Sequence, residues 1–136
     1  MNNYLIAIIK VLKSEGGHAN DPDDGGGETY RGIARKFWPQ WVGWKIIDAA
    51  KTLSDFPKSL SANTELQNMV INFYKVNFWD KIGGDSIGNI NILNMLVDTA
   101  VLEGITSAIK RAQKIVNLDQ TGYVTNELLI KLNSMA

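Results

Sequence analysis

The residues best suited to chemistry lie between positions 14 and 33, Ser14-Glu15-Gly16-Gly17-His18-Ala19-Asn20-Asp21-Pro22-Asp23-Asp24-Gly25-Gly26-Gly27-Glu28-Thr29-Tyr30-Arg31-Gly32-Ile33. Glu15 ends a run of apolar residues, whereas Asp21, Asp23 and Asp24 sit in a glycine-rich stretch that can turn sharply. Two carboxyl groups in contrasting surroundings are what acid-catalysed cleavage of a sugar linkage needs, one neutral to donate a proton and one ionised. Glu15 is the candidate donor. Apolar surroundings disfavour its charged form and raise its pKa, and the C-terminal helix dipole disfavours a negative charge there. The competing reading is a solvated glutamate in a last helical turn. Asp24, nine positions on, is the candidate second carboxyl. It would hold a water or stabilise an oxocarbenium-like transition state. Its competing reading is a turn former whose side chain accepts backbone N–H groups.

The element that must position Glu15 is a helix. Leu5, Ile8, Ile9 and Leu12 recur at helical spacing, Asn2 or Asn3 can cap the start, and Gly16 and Gly17 end it. Turning by roughly 100° per residue, Glu15 falls at the border of that apolar stripe. Further helices are expected over 30–37, 44–52, 63–79 with Asn63 as N-cap, 89–102 capped by Asn89 or Asn91, 105–117 and 125–134. The segment 80–88, with three glycines, reads as a loop. Apolar residues on most faces of 89–102 mark it as a buried central helix, and Asp98 within it reads as a buried structural acid. No long alternating strand pattern appears, so the expected fold is all-α, with room for a short β-hairpin in the 20–30 loop.

Trp38, Trp41 and Trp44 recur every third residue near Tyr30. Planar rings suit the apolar face of a pyranose, but at this spacing packing on the core is the stronger reading. His18 reads first as an exposed loop histidine and second as a rim residue touching sugar.

The stretch Glu15 to Ile33 resembles the signature of the glycoside hydrolase 108 family, peptidoglycan muramidases some of which are called secretion activator proteins. The resemblance continues at Phe78-Trp79-Asp80-Lys81-Ile82-Gly83-Gly84-Asp85, at Asp98-Thr99-Ala100-Val101 with Gly104, at Ala112-Gln113, and at Leu118-Asp119-Gln120-Thr121-Gly122-Tyr123-Val124-Thr125. It departs from the family at Leu102, where asparagine is frequent, and at Gln120, where glycine is. What the resemblance implies is a lysozyme-like helical fold with a catalytic part over 1–88 and a peptidoglycan-binding-like helical part over 89–136, packed as one compact unit. It also implies Glu15 as the catalytic acid. By analogy with phage-type lysozymes, Asp24 and Thr29 complete the site, facing Glu15 across a cleft. Asn20, Tyr30, Trp41 and His18 are the candidate sugar contacts. The expected activity is hydrolysis of the bond between N-acetylmuramic acid and N-acetylglucosamine. The alternatives are a non-catalytic wall-binding or secretion-assisting module, and a lytic transglycosylase.

Composition narrows the classes further. The chain has 136 residues, formal net charge zero, no cysteine and one histidine. No basic face signals nucleic acid, and no like-charge run would drive binding to an anionic wall. Lack of cysteine removes thiol nucleophiles and thiolate metal sites, and a lone histidine excludes a His-cluster metal centre. A calcium loop starting at Asp21 fails because Gly25 and Gly32 stand where ligands would be. No cofactor or metal is expected, the partner is the peptidoglycan glycan strand, and the protein is expected to be a monomer without membrane insertion. Lys10 and Lys13 interrupt the first apolar run, so it does not read as a signal peptide. The expectation is a bacterial or phage protein made in the cytoplasm and acting at the cell wall after release.

Overall fold

The computed structural model describes residues 3–14, 17–20 and 27–135. The order of elements is α1 (Asn3–Ser14), β1 (His18–Asn20), β2 (Glu28–Tyr30), β3 (Ile33–Ala34), α2 (Gly43–Ala50), α3 (Thr64–Tyr74), α4 (Ile90–Glu103), α5 (Ile105–Ile115) and α6 (Asn126–Asn133). The fold is mostly helical with a small three-stranded antiparallel sheet, so it is not all-α. The hairpin allowed for at 20–30 exists, pairing His18 with Tyr30, Ala19 with Thr29 and Asn20 with Glu28. The third strand is a correction. Ile33–Ala34 pairs with β2, and the expected helix over 30–37 is a strand end and a turn. Arg31 and Gly32, both at positive φ, reverse the chain between β2 and β3 and so break any helical run.

The chain divides into two compact units, 1–11 with 73–136, and 12–72. In the first, the buried stripe of α1 is Tyr4, Ala7, Ile8 and Val11, while Ile9 is 40% exposed. This is one step around the helix from the stripe of large aliphatics, because Tyr4 and Ala7 pack where Leu5 and Ile9 are the greasier residues. Helix α4 buries Leu93, Leu96, Val97 and Ala100, but Asp98 and Leu102 are exposed, so it has one outward face and Asp98 is not a buried acid. Its start is capped by Asn89, whose Oδ1 accepts from Asn91 N and Ile92 N at 2.9 and 3.2 Å. Gly104 at φ 101° separates α4 from α5, and Thr125 caps α6 by accepting from Leu128 N.

Helix α3 begins where expected, with Asn63 Oδ1 accepting from Leu66 N at 2.9 Å. It ends as an α-helix at Tyr74 and continues as a wide π turn over Lys75–Trp79. The extra residue per turn carries the buried stripe from Val70, Phe73 and Tyr74 onto Trp79, while Val76 is 49% exposed. Trp79 is then enclosed. Tyr4 meets it edge-on at 5.1 Å, its Nε1 donates to Asp85 Oδ1 at 2.8 Å, and its ring lies so close on Gly84 that a Cβ there would approach to 2.4 Å. Three short 3₁₀ turns fill 58–62 and 80–86 in place of loops.

The other buried anchor of this unit is Gln113, 2% exposed. Its Nε2 donates to Thr121 Oγ1 and Tyr123 O, and its Oε1 accepts from Gly122 N at 2.9 Å. One neutral amide thus ties down the segment before α6. Gly122, at φ 83° with Thr106 at 2.9 Å from where a Cβ would stand, lets the backbone close on it.

In the second unit the buried side chains are Tyr30 and Ile33 from the sheet, Trp44, Ile47 and Ala50 from α2, and Leu60, Leu66 and Val70. Among the described residues, no helix is long and apolar enough to cross a membrane.

Candidate active site on the three-stranded sheet

Glu15 follows the last residue of α1, and Asp24 lies in the segment between β1 and β2; both are outside the described residues. Thr29 is described. It sits in the middle of β2, the central strand, half-buried, opposite Ala19 on one side and Ala34 on the other. Both of its directly opposite partners are thus alanines, the smallest side chains that a strand can place beside it.

The candidate sugar contacts separate by exposure. Asn20 is exposed at the end of β1. Trp41 is half-buried, edge-on to Trp44 at 5.3 Å and stacked on the backbone of Gly43. Trp44 is core, 2% exposed, with Nε1 donating to Trp38 O at 2.8 Å. Phe37 is 70% exposed. Tyr30 is 2% exposed, and its hydroxyl accepts from Gln67 Nε2 at 2.8 Å, so its ring is committed to packing.

His18 is a strand residue with its side chain 9% exposed. Its Nε2 meets Glu28 Oε2 at 2.8 Å, and its ring lies edge-on to Phe56 at 4.9 Å. Glu28, which the sequence offers only as a fallback for Asp24, has a structural place that no local pattern signals. Its side chain, also 9% exposed, is bonded by Arg35 Nη1 at 2.9 Å and Lys51 Nζ at 2.8 Å as well. Arg35 forks onto both oxygens of Asp48 at 2.7 and 2.8 Å, and Lys51 reaches Asp48 at 3.1 Å. The i, i+3 pair Asp48–Lys51 is legible on a helix. The links to Glu28 depend on strand register, which no local pattern carries.

Burial by itself raises the Glu28 pKa, but hydrogen bonds from Lys51, His18 and Arg35 outweigh it and hold the carboxyl at about 2, against an ordinary 4.5. Asp48 is lowered too, chiefly by its bond from Arg35. A carboxyl with a depressed folded pKa stabilises the fold above its unfolded value, and that stability is lost as pH falls through the folded value. Glu28 therefore contributes at most about 3 kcal/mol, fully present above pH 4.5 and withdrawn on the way down to about 2. Urea unfolding measured across that window is expected to show a steeper acid loss in wild type than in Glu28→Gln. Equal slopes would mean that Glu28 titrates normally.

Among the described residues, no group of three His, Cys, Asp or Glu side chains could hold a metal ion. The chain belongs to the glycosyl hydrolase 108 family, whose model matches residues 8–104. Among solved structures, that of Brucella abortus SagA is similar, with TM-score 0.64 and 27% identity over 98% of this chain and 70% of that one. No curated protein matches the chain.

Proposed function

We propose that the protein is a lysozyme-like N-acetylmuramidase, hydrolysing the bond between N-acetylmuramic acid and N-acetylglucosamine in peptidoglycan. The observation that carries this reading is the family match over 8–104, a range that includes Glu15, Asp24 and Thr29. Glu15 protonates the leaving oxygen. Asp24 stabilises the developing positive charge or orients a water, and Thr29 supplies a hydroxyl to the same water or sugar. Asn20, exposed at the end of β1, and Trp41 line the approach of the glycan, and the work is done at the cell wall.

The test is mass spectrometry of the muropeptides released from purified peptidoglycan. Products ending in a reducing N-acetylmuramic acid are expected. Anhydro-muramyl ends would reassign the protein as a lytic transglycosylase, and no release at all would leave a binding module.

A further inference from the structure

We propose that Glu28 is a positioning residue for the reaction, its carboxylate clamping strand β2 from one face and thereby fixing the hydroxyl of Thr29 on the other. This rests on the reading of Thr29 as part of the cleavage site.

A three-residue strand has little stability of its own. Neighbouring residues on it point to opposite faces, so Glu28 and Tyr30 share one face and Thr29 has the other. Both ends of the shared face are pinned. Tyr30 is held by Gln67 of α3 at 2.8 Å. Glu28 is held by His18 from β1, by Arg35 from the turn after β3 and by Lys51 just beyond α2. One carboxylate thus gathers a partner from each neighbouring strand or its extension and from the helix end. Asp48 holds Arg35 and Lys51 in place, and Phe56 fixes the plane of the His18 ring, so the donors are set before Glu28 meets them. The groups facing Glu28 are therefore His18, Arg35 and Lys51, with Asp48 behind the two cations. A hydroxyl that must meet a water or a sugar at hydrogen-bond distance tolerates little drift, and a shift on the order of 1 Å can cost about 100-fold. The carboxyl stays ionised down to about pH 2, so it does not exchange protons where the enzyme works, and its role is separable from acid–base catalysis.

The experiment compares steady-state kinetics on soluble glycan oligomers cut from peptidoglycan for wild type, Glu28→Gln, Lys51→Met and Glu103→Gln. The last breaks the exposed pair Arg111–Glu103 and serves as a control. Glu28→Gln is expected to lower kcat about 10- to 100-fold with KM within about three-fold and both limbs of the pH profile unmoved. Amide hydrogen exchange at Thr29 and Tyr30 is expected to accelerate. Lys51→Met, which leaves two of three partners, is expected to fall between wild type and Glu28→Gln, and it carries the test if Glu28→Gln does not fold. Glu103→Gln is expected to match wild type. A kcat for Glu28→Gln, or for Lys51→Met if only that variant folds, equal to wild type would overturn the proposal while leaving the muramidase reading intact. A shifted pH limb would overturn it by making Glu28 an acid or base. A wild type that cleaves nothing overturns the muramidase reading and this one with it.

Discussion

Glu15→Gln is expected to lower the rate of glycan cleavage by about 10² to 10⁴-fold, the usual contribution of general acid catalysis. The substitution keeps the size and the hydrogen-bonding outline of the side chain and removes only the transferable proton. Glu15 lies inside the matched family segment and directly follows α1, whose buried stripe Tyr4, Ala7, Ile8 and Val11 ends one turn earlier. The loss is expected in kcat, because a proton delivered in the transition state is not felt in substrate binding. The measurement is initial clearing of a cell-wall suspension, alongside circular dichroism to show that the variant is folded. A folded Glu15→Gln protein that clears the suspension at the wild-type rate would remove Glu15 from the mechanism.

The largest expected effect on stability is at Trp79. Trp79→Ala removes a ring that is 1% exposed, strips Tyr4 of its edge-on partner and leaves Asp85 without the indole donor. Large aromatic truncations in cores cost about 3–5 kcal/mol. Against a typical total of about 5–15 kcal/mol this is a large share of the fold. For a chain of this size the melting temperature is expected to drop by roughly 10–20 °C. Relaxation cannot fill the space cheaply, because the ring rests on the backbone of Gly84, which has no side chain to swing in. A drop below about 3 °C would show that the ring is not enclosed as described.

These two residues differ in how far the sequence discloses them. Glu15 is singled out by local signals, the end of an apolar run, a glycine pair and a turn-rich acidic stretch, and it lies outside the described residues. The cap at Asn63 is legible for the same reason, as is that at Asn89 or Asn91, and the structure selects Asn89: both Asn63 and Asn89 accept backbone N–H groups. Trp79 is legible as core, but the turn that buries it is not. A helical stripe drawn at 3.6 residues per turn continues to Val76 or Asn77, and only tertiary packing selects the wider turn that buries Trp79 instead. Strand β3 is illegible because Ile33–Ala34 is too short to alternate and exists through its partners Thr29 and Tyr30. Glu28 fails for the same cause: its significance is fixed by strand register and by Lys51, 23 positions away, and neither leaves a trace in local periodicity.

The amide of Gln113 carries a different kind of consequence. It fastens the 121–123 segment with dipoles alone, so no proton binds to it and no dissolved ion competes strongly for it. The carboxylate of Glu28 does a comparable job with charge, which acid and salt both erode. A single chain thus keeps one fastening that ignores its medium and another that answers to it.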